Sequence, residues 1–275
     1  MKTSKYHKLQ TILLKAKKDL YTHLHGGNLS RILAQGYDFA ELREYHSSDD
    51  IRHISWINSA KLGQLYVKKM HEERELNVAV CTLIDGRFMV GKKLEVLTHI
   101  LATLGYSAYE ANETFFSIVM CGSKVKCSPP TKNIEQIEQS IDDVYRLKLL
   151  NTIVDYGKVE SELLSKVEAK SLFFIIGDFL EPIDMAILAQ KHEVIVIIIR
   201  DEFEENPTPL PNTQLIDPRT TKTLNQTLSK RAIKHYKNRL AEHDKRLIEY
   251  LYAHNIRFVK IYGEEEVLQK LESLQ

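Results

Sequence analysis

Three acidic residues stand where chemistry could be done, each just past an apolar run: Asp85 after VAVCTLI, Asp178 after LFFIIG and Asp201 after VIVIIIR. Runs of this kind read as buried strands. In an open parallel sheet the carboxyl ends of the strands share one edge, where ligands bind. Asp85 and Asp178 are therefore candidates for one site. Asp201, ahead of a proline-rich stretch, is expected to cap a helix instead. The loop that begins at Asp85 reads DGRFMVGKK, a near match to the phosphate-cradling GxxxxGK[ST] pattern. That match suggests an alternative function, a nucleotide hydrolase using Gly86, Gly91 and Lys92, with Asp178 as the magnesium-holding acid. Its last position is against it, because Lys93 stands where a Ser or Thr hydroxyl would reach magnesium. The loop also fails as an aspartate phosphotransferase site, which would need a second acid at the position of Arg87.

Other reactive arrangements are missing from the sequence. There is no GxSxG elbow, no HExxH, and no cysteine and histidine at catalytic spacing. His23 and His25, beside Gly26 and Gly27, fit a surface turn better than a metal site. Lys230, Arg231, Lys234, Lys237 and Arg239 spread around a helix and read as solvated surface, not as a nucleic-acid patch. Lys and Arg number 38 against 37 Asp and Glu, so no overall field selects nucleic acid or anionic lipid. Cys81, Cys121 and Cys127 form no CxxC pair, and an odd count is expected for free thiols in a reducing, cytoplasmic compartment. The longest apolar stretches, 194–199 and 172–176, fall far short of the ~20 residues that span a bilayer.

These residues need elements to hold them. Leu9, Ile12, Leu13, Ala16 and Leu20 recur at helical spacing, with Lys8, Lys15, Lys17 and Lys18 on other faces, so the N-terminus reads as an amphipathic helix. A peripheral membrane contact through its lysines is left open. Residues 36–76 are charge-rich and irregular. Strand and helix patterns then alternate: strands at 78–84, 115–120, 124–127, 172–176, 194–199 and 257–261, helices near 94–110, 134–145, 156–167, 230–253 and 264–274. Pro207, Pro209 and Pro211 make 202–213 a loop or crossing connection. Residues 214–228 read as a hairpin around DPRTT. Ser229 should cap the long helix, and Asn255 should stop it.

The segment 36–80 carries a specific resemblance. Gly36, Phe39, Leu42-Arg43-Glu44-Tyr45, Asp49-Asp50, Arg52 and Trp56, followed by Ser59-Ala60-Lys61 and Leu65-Tyr66-Val67-Lys68, resemble the signature of the bacterial domain-of-unknown-function family 58. Ile175-Ile176-Gly177-Asp178-Phe179 and Asp217-Pro218-Arg219 extend the likeness over about residues 25–260. Four positions depart from it: Ser47-Ser48 replaces a Pro-Gly, Ser55 an acid and Lys61 an arginine. Arg43, Glu44, Tyr45, Asp49, Asp50, Arg52 and Trp56 are expected to be structural. Their charges would pin the extension by salt bridges, with Trp56 and Tyr45 partly buried as anchors.

This resemblance implies a von Willebrand factor A-like fold: an α/β domain over 77–275 with a mostly parallel central sheet and helices on both faces, preceded by a charged N-terminal extension over 1–76. Modules of that kind hold a divalent cation with DxSxS, a threonine and a later aspartate. Asp85 and Asp178 match that set, and Thr152 in NTIVDYG is a plausible threonine, but the two serines are replaced by Arg87 and Met89. The site is therefore expected to be degenerate, without metal or cofactor, and Arg87 to pair with the acids in the cation's place. Asp85, Arg87, Thr152 and Asp178 would then mark a partner-binding edge. The implied function is that of a non-catalytic adaptor, partner to a MoxR-type AAA+ ATPase in the assembly or maturation of other proteins.

Overall fold

The computed structural model describes residues 2–24, 39–46, 54–56, 59–60, 63–70 and 76–274. Its centre is a six-stranded sheet in the order β10-β7-β6-β3-β4-β5, built from β3 (Asn77–Leu83), β4 (Thr114–Cys121), β5 (Lys124–Cys127), β6 (Leu172–Gly177), β7 (Glu193–Ile199) and β10 (Arg257–Ile261). Every pairing is parallel except that of edge strand β5 with β4. The middle strands are apolar at nearly every position because both faces are covered. Alternate residues therefore serve two cores. Val78 and Val80 of β3 join Phe174 and Ile176 of β6 on one face, while Ala79, Cys81 and Leu83 join Phe173 and Ile175 on the other.

The first face is covered by α1 (Lys2–Leu24), α2 (Lys93–Glu110), α3 (Ile134–Tyr145) and α8 (Val267–Glu272). On the second lie α4 (Val159–Lys166), α5 (Ala186–Lys191) and α7 (Lys230–Ala253). Helix α1 lays Leu9, Ile12, Leu13, Ala16 and Leu20, all buried, against α2. Each large side chain in that stripe contributes about 1.5–3 kcal/mol by leaving water. The sequence sets 1–76 apart from 77–275, yet the helix that opens the first segment shares the core of the second. Ser229 caps α7 by accepting from the Ala232 amide, and the helix ends at Ala253, two residues before Asn255, which takes a left-handed φ of 54°.

Differences from the sequence expectation lie in the connections. The stretch 202–213, expected to be loop, opens with a one-turn helix, α6 (Glu202–Glu205), under a capping box made by Asp201 and Glu204. It ends inside β8 (Leu210–Ile216), which pairs only with β9 (Thr223–Leu228). Pro211 is tolerated there because a two-stranded ribbon is all edge, and the register shifts between Leu210 and Thr213. Cys121, the last residue of β4, is half-buried.

In the extension, β1 (Phe39–Glu44) and β2 (Tyr66–Met70) pair antiparallel, with Arg43 opposite Val67 and Glu44 opposite Tyr66. Asp49, Asp50 and Arg52 lie outside the described residues, as does His25. Tyr45 is half-buried and its amide donates to the Leu65 carbonyl. Trp56 is a correction: it is 64% exposed rather than an anchor. Ser55 and Ser59 share the inward side of their turn, where the Ser59 amide donates to the Ser55 carbonyl and the Ser59 hydroxyl accepts from the Tyr66 amide. Trp56, one residue on, points the other way. Trp56→Ala should therefore shift stability by no more than about 0.5 kcal/mol in urea denaturation.

Beneath α1, His99 of α2 is buried with neither ring nitrogen hydrogen-bonded. Its Nε2 lies 3.5 Å from Asp19 of α1 and its Nδ1 3.9 Å from Glu264, while Lys15 of α1 is also close enough to act on it. Burial, reinforced by Lys15, holds its pKa below the ordinary 6.5 despite the two carboxylates. The unfolded chain thus takes up this proton first. The stability His99 contributes is complete above pH 6.5 and is lost as pH falls through that value. Thermal melts from pH 7.5 to 5 should show a fall in midpoint that His99→Gln flattens.

Candidate functional site

β3 and β6 are parallel neighbours, with Thr82 opposite Ile176, so the residues just past their ends emerge side by side. Asp85 and Asp178 sit there, 2% and 0% exposed. Two ionised carboxylates in such a place repel each other and are poorly solvated unless a cation joins them.

Arg87 joins them. It belongs to a short 3-10 turn, Gly86–Met89, that Asp85 caps by accepting from the Arg87 amide at 2.9 Å. The cap curls the chain so that the Arg87 guanidinium turns back on the acid two residues before it. Nη2 donates to Asp85 Oδ2 at 3.0 Å and Nε to Asp85 Oδ1 at 3.2 Å, while Nε also lies 2.9 Å from Asp178 Oδ2. No hydrogen bond reaches that Asp178 oxygen, so the contact there is one of charge. Asp178 Oδ1 instead accepts from the Tyr156 hydroxyl at 3.1 Å. Burial opposes the charge on Arg87, but Asp178, Tyr156 and Asp85 outweigh it and raise its pKa above the ordinary value. Burial, then Asp178, also pushes Tyr156 well above the usual phenol range, keeping it a neutral donor.

A second layer fixes the acids' backbone. Arg200, fully buried at the end of β7, donates through Nε to the Asp178 carbonyl at 2.7 Å and through Nη2 to the Phe179 carbonyl at 3.3 Å, and Nη2 also meets Asp244 of α7. It clamps a turn in which Phe179 holds a φ of 47°. Lys93, also buried, lies 3.8 Å from Asp178 Oδ2 and 2.5 Å from Glu204. Sequence reasoning passed over Arg200, Tyr156 and the pairing of Lys93. The one signal for Arg200 was a lone charge closing the run VIVIIIR.

The site has a roof. The tip of the β8-β9 hairpin, Asp217-Pro218-Arg219, rests on the loop after β3 and on the loop before Tyr156. The Asn151 amide donates to the Pro218 carbonyl at 2.9 Å. A Cβ added to Gly86 would stand 2.4 Å from the Pro218 oxygen, so only glycine admits the tip. Arg219 pairs with Glu181, whose carboxylate also lies 3.5 Å from Arg87 Nη1. Thr152 reaches the site through its backbone, its carbonyl accepting from the Gly86 amide at 3.2 Å. Its hydroxyl instead donates to the Leu149 carbonyl at 2.6 Å.

These positions do not suit a divalent cation. The guanidinium of Arg87 lies against both acids, the threonine hydroxyl is turned away, and magnesium needs near-octahedral oxygen ligation. Among the described residues, no group of three or more His, Cys, Asp or Glu side chains is placed to hold a metal ion. The loop does not form a phosphate cradle either. The Arg87, Phe88 and Val90 amides are spent on Asp85 and on the turn itself, and the space beside Gly91 is filled by the Asp201 carboxylate.

The family described as "Protein of unknown function DUF58" matches residues 41–246. The chain belongs to this family. Among its relatives are the uncharacterized protein Rv1480 of Mycobacterium tuberculosis and its counterpart Mb1516 of Mycobacterium bovis, each 23% identical over 212 residues. The match takes in 70% of this chain but spans only 64% of the length of those relatives. Solved structures similar to this DUF58 chain include BatB from Bacteroides thetaiotaomicron, 11% identical with a TM-score of 0.42 over 72% of this chain and 98% of that one. The VWA domain of SpRpn10 is likewise 11% identical, with a TM-score of 0.37 over 73% of this chain and 93% of that one.

Arg87→Met would leave Asp85 and Asp178 buried with only the distant Lys93. It should cost about 3–5 kcal/mol in urea denaturation at pH 7. Arg87→Ser, which restores a hydroxyl, should gain a melting temperature that rises with added magnesium. The parent chain should respond to neither magnesium nor chelator.

Proposed function

We propose that this DUF58 protein is a non-catalytic adaptor of the cytoplasm that meets a protein partner through the strand-end edge. The partner its family resemblance suggests is a MoxR-type AAA+ ATPase acting in the assembly or maturation of other proteins. One observation carries this reading. The charged centre formed by Asp85, Arg87 and Asp178 is paired from within and buried, while the loops around it present apolar side chains to solvent. Met89 is 54% exposed on the first loop, and Leu150 and Ile153 are 54% and 48% exposed on the loop that carries Thr152.

A hydrolytic centre needs a reactive group with a free valence within reach of substrate. Here the acids, the arginine and the tyrosine already occupy one another. Exposed apolar side chains bordered by polar residues are the usual make-up of a surface that another protein covers. Asp85, Arg87 and Asp178 serve that surface from beneath by holding its loops in place.

Affinity capture with the full chain, followed by identification of co-purified proteins, should recover an AAA+ ATPase. Met89→Asp and Ile153→Asp, which leave the buried centre intact, should reduce that recovery by at least about tenfold. Micromolar ATP binding by the purified chain, lost in Lys92→Ala, would favour the hydrolase alternative.

A further inference from the structure

We infer that the β8-β9 hairpin is a detachable arm, and that its tip holds the place of a basic loop of a partner. The inference deepens the adaptor reading and rests on it for the partner's being a protein. The arm itself can be tested without one.

No described side chain between 210 and 228 is buried, and the two strands pair with each other and with no strand of the central sheet. Ile216 points into solvent. A two-stranded ribbon of this kind has little stability of its own, so its place depends on contacts outside it. At the tip, among the described residues, those contacts are few and polar: the Pro218 carbonyl meets the Asn151 amide above Gly86, and Arg219 meets Glu181. Glu181 is 37% exposed on its side chain, and an ion pair that water can reach is a weak clasp. The arm can therefore lift without disturbing the core.

The tip is also a formed unit, able to move without unravelling. Asp217 accepts from the Arg219 amide at 2.9 Å and the Thr220 hydroxyl at 2.8 Å, and its carbonyl accepts from the Thr221 amide at 2.7 Å. Lifting it would change the charge beneath. Asp85, Asp178 and Glu181 would be left facing Arg87, with Lys93 shared between Asp178 and Glu204. The uncovered recess would then be short of positive charge. It would offer the Glu181 carboxylate, then met only by Arg87 at 3.5 Å, the Asn151 amide as a donor, and a floor at Gly86 with room only for main chain. A turn that presents a carbonyl followed by an arginine or lysine fits those three features, and Pro218-Arg219 is such a turn. Met89, Leu150 and Ile153 lie on the loops that flank the recess.

The test uses the full chain, its Arg219→Glu and Arg219→Ala variants, and as probe a fluorescent cyclic peptide of residues 214–225. Hydrogen exchange of the Asn151 amide reports whether the tip is seated. The expected result is that exchange at Asn151 quickens in both variants while the amides of β3 and β6 stay protected. The peptide should bind Arg219→Glu at least about tenfold more tightly than the parent chain, whose own arm competes. A peptide with glutamate at its arginine position should not bind. Unchanged Asn151 exchange in both variants, equal peptide affinity for parent and variant, or no binding to the opened chain would each overturn the proposal. If the arm opens and the peptide binds but no ATPase is captured from cells, the adaptor reading fails and the arm stands.

Discussion

Two carboxylates at neighbouring strand ends must share one cation, and much of this molecule is arranged around that requirement. Asp85 and Asp178 come together because β3 and β6 are parallel and in register. Once there, they are too deeply buried to be left to solvent. Arg87 settles the charge, and it does so from the loop that Asp85 itself caps, so a single carboxylate both shapes the turn and receives its product. A buried ion pair of this kind adds little net stability over an apolar substitute, but removing one member is costly. The arrangement therefore holds loops in place more than it strengthens the fold. Arg200 works to the same end from the next strand, tying the Asp178 and Phe179 carbonyls to Asp244 of α7.

A bound ion and a tethered arginine solve the same electrostatic problem differently. An ion leaves coordination positions open and can be shared with an incoming ligand. A guanidinium fills its space, cannot be lost by chelation, and directs its donors along fixed lines. With the cation supplied by the chain, the strand-end edge has no vacant ligand position to offer. On the proposed adaptor reading, recognition there falls to the surrounding loops, where Met89, Leu150 and Ile153 are exposed.

Much of the α/β body was legible in the sequence because its elements are strongly patterned. The apolar runs at 172–176 and 194–199 are strands, and the turn signals at Ser229 and Asn255 bound a 24-residue helix. Asp85 and Asp178 were legible as a pair, since their places at strand ends follow from parallel topology, whereas Arg87 joined them only through the resemblance, at the position of a missing serine. Thr152 was found by motif, but its hydroxyl takes a local carbonyl, a choice that depends on loop shape and not on residue type. Trp56 was misread because large aromatic size suggests burial, whereas its neighbours Ser55 and Ser59 are the residues buried there. Arg200 and Lys93 escaped because nothing in a linear pattern says which charges a fold will bury.

In the β8-β9 ribbon, Leu210 and Leu228 are cross-strand neighbours, so the chain leaves the α/β body and returns to it at nearly one point. An excursion rooted in that way behaves as a cassette. It can lengthen, shorten or change its sequence without shifting α6 before it or α7 after it. Chains that share this body are therefore free to diverge at the ribbon, where a change of tip alters what the common frame can meet and leaves its foundations untouched.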